Sequence, residues 1–192
     1  MRAGILSGIA QHPALVGFID ADLSTLVEAI DDFLELLRDR PEVEFVLGSR
    51  VMLMGRDIRR KATRHYAGRV FATAVSLALD LPVYDTQCGA KILRVNAATA
   101  TLFASPFRSD WIFDVELIAR YLRLPVGPGE RPRRDRLYEL ALTAWHDRPG
   151  SKLRWRNYAR AVVDLGYIWR ERVAHRLPEG ASADGAAQES TR

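Results

Sequence analysis

Apolar and polar positions change their spacing several times along the chain, and each change marks an element. Residues 15–19, Leu-Val-Gly-Phe-Ile, form a short continuous apolar run that stops at two acids, Asp20 and Asp22. That pattern predicts a buried parallel strand that delivers polar groups at its C-terminal end. Val27, Ile30, Leu34 and Leu37 then recur at helical spacing, opposite Glu28, Asp31, Asp32, Glu35 and Arg38. A helix is predicted there, with Ser24 or Thr25 as its cap. Residues 43–47 read as the next strand and Gly48-Ser49-Arg50 as the loop leaving it. Residues 15–50 are therefore expected to form a βαβ unit with a right-handed crossover, which makes the class α/β.

From residue 58 to 81 the apolar positions Ile58, Ala62, Tyr66, Val70, Ala74, Leu77 and Leu81 keep a helical period, with Pro82 closing the segment. Its first half carries Arg56, Arg59, Arg60, Lys61, Arg64 and Arg69, whereas residues 70–79 are almost wholly apolar. Two readings stand for it: a basic-then-apolar helix at a membrane interface, or a core helix with a basic end. A polar stretch, 84–91, precedes a short strand, 92–95, a helix capped by Asn96 and an amphipathic helix within 111–124. Residues 137–145 alternate as an edge strand does, and 152–176 read as a basic helix. One domain over residues 1–177 is expected, followed by a disordered tail, 178–192, rich in Gly, Ala, Ser and charge.

Composition narrows the partners. The 192 residues are 48% hydrophobic and 27% charged, enough to bury a core. A net charge of +4 and a pI of 9.5 favour anionic partners such as phosphates, nucleotides or lipid headgroups. The single cysteine, Cys88, rules out an internal disulfide framework or a multi-cysteine zinc site; its ordinary role is a small buried apolar side chain. The apolar run 4–10 is too short to cross a bilayer, so membrane contact by this chain is expected to be peripheral. His12, His65, His146 and His175 lack ligand spacing and are expected to be structural or solvent-facing.

Two aspartates flanking one small residue at a strand exit can hold a hard divalent cation against a diphosphate. Taken alone, Asp20-Ala21-Asp22 is a weak signal, because acids at strand ends also cap helices. Three more strings follow in order: Gly48-Ser49-Arg50, Asp85-Thr86-Gln87-Cys88-Gly89-Ala90-Lys91, and Phe113-Asp114-Val115-Glu116-Leu117. Together they resemble family 2 glycosyltransferases of GT-A fold, and most of all the branch that makes polyprenyl or dolichyl phosphate glucose from UDP-glucose. The resemblance runs from Arg2 to about Arg170, and the Asp-Thr-Gln-Cys-Gly-x-Lys string is its most specific part.

The resemblance implies a Rossmann-like mixed sheet flanked by helices and a metal-dependent, inverting sugar transfer. It implies Mg2+ or Mn2+ on Asp20 and Asp22, and Asp85 in the loop facing sugar and acceptor. Arg50, Arg59, Arg60 and Lys91 are implied to face phosphates, with Gln87 beside them. For Asp85 a base and an orienting role both stand; for Asp114 and Glu116, an acidic pair containing the base and ordinary acids of a helix N-terminus both stand. For Arg59 and Arg60 the alternative is a solvated basic face.

Implied partners are a nucleotide sugar, a polyprenyl phosphate and the inner face of the membrane, reached from the cytoplasm; no nucleic acid is expected. Members of the family begin with a strand and loop reading roughly Val-Ile-Pro-Ala-Tyr-Asn-Glu, followed by a second strand that helps hold the nucleoside. Neither is present here, so the sheet is expected to lack its first strands: either the chain is an N-terminally truncated fragment or mis-started product, or a second copy or a partner chain completes the sheet. Leu26 and Ala90 also replace a usual Pro and a usual aromatic. The competing expectation is a noncatalytic remnant that binds anionic membrane or a partner through its basic helices.

Overall fold

The computed structural model describes residues 1–59, 62–147 and 155–174. Helix α1 (Arg2–Ile9) leads into β1 (Leu15–Phe18), α2 (Ala29–Asp39), β2 (Phe45–Ser49), β3 (Asp57–Arg59) and α3 (Ala62–Leu79). Strand β4 (Lys91–Arg94), the short α4 (Thr99–Leu102), α5 (Phe113–Leu122), β5 (Leu137–Ala141), β6 (Ala144–His146) and α6 (Trp155–Ala174) follow. Four strands form a mixed sheet in the order β1-β4-β2-β5, and β3 and β6 pair in parallel as a second, two-stranded sheet. The α/β class holds, in a layered form compatible with a Rossmann-like sheet. The tail 178–192 lies outside the described residues.

Strand β2 is buried at all five positions, as a strand with neighbours on both edges and cover on both faces must be. Its side chains alternate between two cores. Phe45 and Leu47 pack with Val75, Leu117, Ile118 and Leu165 from α3, α5 and α6. Val46 faces the other way, toward Phe33 and Leu37 of α2 and Cys88 and Ala90.

Four expectations need correction. Strand β1 is not flanked by parallel partners: β4 runs antiparallel to it and also to β2, so the expected βαβ unit is opened by a strand that arrives from later in the chain. In α2 the buried stripe is Ala29, Phe33 and Leu37, spaced four apart, while Val27 and Leu34 stay exposed. The Phe33 ring fills the core beside Cys88 and turns the helix away from the expected face. Ser24 and Thr25 do not cap this helix, which begins later, at Ala29; both are buried, and Thr25 bridges to Trp145 of β6. Ile58 belongs to β3 and not to a long helix, its side chain buried beneath the small sheet.

Helix α3 itself is two-faced. Ala72, Val75, Ala78 and Leu79 are buried, whereas Tyr66, Val70 and Leu77 are each more than 70% exposed. The segment that reads as apolar all round thus has one core face and one apolar face in solvent. The chain leaves α3 through Asp80, whose φ of 51° turns it toward Pro82. Asn96 stands at the head of α4, where its side-chain oxygen accepts the N–H groups of Ala98 and Thr99. No helix among the described residues is long and apolar enough to cross a membrane.

Candidate functional site

The exits of β1 and β2 and the loop entering β4 meet the first turn of α5. Asp20 follows β1, and the turn behind it is tightly held: the Ser24 N–H donates to Asp22 Oδ1 at 2.8 Å, and Leu23 takes a left-handed φ of 56°. The Ser24 carbonyl then accepts the His146 N–H of β6, tying the acidic turn to the small sheet. A strained non-glycine residue beside two acids is the kind of backbone that a binding site retains.

The Asp20 carboxylate lies directly on the backbone of Gly89. A Cβ built on Gly89 would stand 1.9 Å from the Asp20 carboxyl carbon. Glycine is thus what lets the Asp-Thr-Gln-Cys-Gly string touch the Asp-Ala-Asp turn. Burial and the neighbouring Asp22 raise the Asp20 pKa above the ordinary 3.8, and Lys91 and Arg50 oppose the rise. Four of the residues expected at the site therefore share one electrostatic neighbourhood.

Arg50 leaves β2 and grips Asp85. Its Nε donates to Asp85 Oδ2 at 2.6 Å and its Nη2 to Oδ1 at 2.8 Å, while its backbone N–H adds 3.1 Å to Oδ2. The guanidinium also sits 5.2 Å from the Trp145 ring centre. Burial opposes charge on Arg50, but Asp85 outweighs it and holds the pKa above the usual arginine range. The Asp85 carboxylate also accepts the Gln87 N–H at 3.2 Å. Arg50 engages both Asp85 oxygens, which fixes the orientation of the carboxylate.

Lys91, at the start of β4, is fully buried. Its Nζ donates to the Cys88 carbonyl at 2.5 Å and lies 2.7 Å from Asp114 Oδ1, with the Phe18 ring 5.6 Å away. Asp114 occupies the first turn of α5 and is itself buried. Burial raises its pKa, and Lys91 pulls it back. The pair is a buried ion pair under the floor of the site, one Lys91 backbone step from the loop that carries Gly89. Glu116, the other acid of that turn, instead holds Arg120 at 2.7 Å and the Arg108 N–H at 2.8 Å.

Gln87 is half-buried and its Nε2 reaches the Trp111 carbonyl at 3.4 Å. Cys88 is wholly buried in the α2-side core, and burial pushes its thiol up to about 11. Arg59 lies apart from this group: on β3 it pairs with Asp57 at 2.8 Å, and Asp57 also meets His146 at 2.8 Å. Arg60 lies outside the described residues.

Two further residues matter to the geometry. Glu139, in β5, accepts the Tyr84 N–H at 2.8 Å and the Asp85 N–H at 2.6 Å, fixing the start of the loop. Trp145, in β6, supplies the ring beneath Arg50. The only sequence signal for Glu139 is an acid inside an alternating strand pattern.

Among the described residues no third His, Cys, Asp or Glu joins Asp20 and Asp22 in a metal-binding group. Two carboxylates suit a hard cation that takes its remaining oxygens from a diphosphate and water. Burial first, and then the neighbouring Asp22, raises the Asp20 pKa, and a cation held by the two carboxylates would oppose both effects.

No family model matches the chain. It is similar to the dolichyl-phosphate beta-glucosyltransferase of Saccharomyces cerevisiae, 28% identical over 139 residues, which covers 69% of this chain and 38% of that protein. It is also similar to a dolichyl-phosphate beta-glucosyltransferase of Trichomonas vaginalis, 25% identical over 158 residues, covering 80% of this chain and 44% of that protein. The chain spans less than half the length of these curated relatives.

Proposed function

We propose that the chain is the catalytic part of a glycosyltransferase that moves a sugar, glucose from UDP-glucose, onto a dolichyl or other polyprenyl phosphate with inversion, with Mg2+ or Mn2+ bound at Asp20 and Asp22. The observation that carries this reading is the packing of the Asp20 carboxylate on Gly89, which joins the acidic turn to the loop of Asp85, Gln87 and Lys91. The relatives' names support the acceptor and the reaction class.

In this reading Asp20 and Asp22 hold the cation, which stabilises the charge growing on the departing nucleoside diphosphate. Arg50 holds Asp85 rigid, so that one carboxylate edge orients a sugar hydroxyl or the acceptor. A phosphate monoester has its second pKa near 6, so the acceptor is already an anionic nucleophile at neutral pH and needs no strong base. Lys91 places positive charge behind the site while neutralising Asp114. Incubation of the purified chain with UDP-glucose, farnesyl phosphate and Mn2+ is expected to yield glucosyl farnesyl phosphate by mass spectrometry, abolished by EDTA. Absence of that product with donor and acceptor both present refutes the reading.

A second reading, a noncatalytic chain that binds anionic membrane, is favoured by the exposed Tyr66, Val70 and Leu77 on α3. Salt-sensitive binding to anionic liposomes, without any binding of UDP-glucose, distinguishes it.

A further inference from the structure

At the opposite end of β2 from Arg50 lies a cavity of about 520 Å³ whose lining includes Arg123, Arg133, Arg134 and Arg172 but no acid. Glu44 immediately precedes β2 and Arg50 immediately follows it, so the two ends are separated by roughly 20 Å at about 3.3 Å per residue. The remaining walls are apolar, among them Leu122 and Val126. Its volume is that of a small-molecule site, about 300–1,000 Å³.

The guanidiniums are only partly used. Arg133 is 9% exposed; it donates to Glu44 Oε2 at 2.6 Å and to the Pro125 carbonyl at 2.8 Å, yet its buried Nε has no hydrogen-bond partner. Arg123 gives Nη1 to Glu171 at 2.7 Å and leaves buried Nε and Nη2 without partners. Arg172 and Arg134 share one Asp80 oxygen, each at 3.5 Å, and the buried Nε and Nη1 of Arg172 make no hydrogen bond. Glu44 is also divided, since Arg136 takes its Oε1 at 2.8 Å. Glu44 is shared by Arg133 and Arg136 and Asp80 by Arg134 and Arg172, so guanidiniums outnumber carboxylates along this wall and an added anion is favoured there.

We propose that this cavity binds a small amphiphilic oxyanion, a phosphate or carboxylate head on an apolar body, at a site separate from the Asp20 turn. The guanidiniums of Arg123, Arg134 and Arg172 suit such a head, and the Leu122 and Val126 wall takes the apolar part. The site is independent of the proposed sugar transfer.

Isothermal titration of the full chain with octyl phosphate below its micellar concentration, inorganic phosphate and octyl glucoside tests it. Octyl phosphate is expected to bind about tenfold or more tighter than inorganic phosphate, because each buried methylene contributes about 0.8 kcal/mol. Octyl glucoside is expected not to bind. Arg134→Gln, at a half-exposed position, and Arg172→Gln are each expected to fold and to weaken octyl phosphate binding at least tenfold. The Asp20→Asn, Asp22→Asn double variant is expected to bind it unchanged, which separates this site from the catalytic reading. Equal binding of the three compounds, no binding of octyl phosphate, undiminished binding in both arginine variants, or loss in the aspartate variant overturns the proposal.

Discussion

The carboxylate of Asp20 rests on the Cα of Gly89, so close that a Cβ there would fall 1.9 Å from Asp20 Oδ2. Gly89→Ala must therefore push the Asp20 side chain aside, and a short side chain at a strand exit can move at little cost to the fold. The expected outcome is a stability change under about 1 kcal/mol, measured by urea unfolding, together with a loss of turnover of about 100-fold, the scale of an ångström's misplacement. A large loss of stability with normal turnover per folded molecule would contradict the role given to this contact.

Arg50 and Asp85 are mostly buried, with side chains 15% and 8% exposed. Removing one partner of such a pair leaves a buried charge alone and costs about 3–5 kcal/mol. Arg50→Gln is expected to lose that much in denaturant unfolding. Arg50→Lys keeps the charge but not the fork or the stacking on Trp145, so an intermediate loss is expected. Equal stability of wild type and Arg50→Gln would show that the pair does not anchor the loop.

Lys91→Met strips the cation from Asp114. The Asp114 pKa, already raised by burial, then rises further because Lys91 was lowering it. At pH 7 the variant must either bury an unpaired carboxylate or protonate it, and a loss of about 3–5 kcal/mol is expected. In the folded variant Asp114 binds a proton that the unfolded chain, with a carboxylate near 3.8, has released. Its deficit therefore narrows as pH falls from 7 toward 4. Lys91→Met with Asp114→Leu is expected to recover most of the loss at pH 7. A deficit that does not change with pH would place the damage elsewhere.

The Cys88 thiol, pushed up to about 11 from 9.0, is protonated and enclosed at ordinary pH. Between pH 9 and 11 the folded chain keeps a proton that the unfolded chain gives up, so this group makes stability decline as pH rises through that window. The decline is expected to be smaller in Cys88→Ala, read from unfolding curves at pH 8 and pH 10. Alkylation by iodoacetamide at pH 8 is expected only after unfolding; rapid native labelling would contradict the buried reading.

The strand exits and the contact order of the motifs were legible because they depend on local signals. An apolar run ending in Asp20 predicts a strand end wherever that strand pairs, and the loop from Asp85 to Lys91 carries its own polar pattern. The pairing partner was not legible: β4 slides antiparallel between β1 and β2, a long-range choice that no local period encodes. The face of α2 was misread because Phe33, one aromatic among several apolar residues, decides which stripe is buried. Glu139 acts from a strand more than 50 residues beyond the loop it supports, through backbone N–H groups that leave little trace in a single sequence. Arg59 reads as one of a basic run, yet Asp57 two residues earlier lies on the same strand face and takes its charge.

In the proposed function the Asp20-Ala21-Asp22 turn serves sugar transfer through a divalent cation. Asp22 is exposed and its described hydrogen bond is to the Ser24 N–H, so Asp22→Ala can be made without opening the core. The most direct measurement is Mn2+-dependent formation of glucosyl farnesyl phosphate from UDP-glucose by wild type and by Asp22→Ala, with circular dichroism showing that both are folded. Metal-dependent product is expected from wild type, with a drop of at least about 100-fold in the variant, as when a group stabilising transition-state charge is removed. Equal product from the two folded proteins, or product that does not depend on Mn2+, contradicts it.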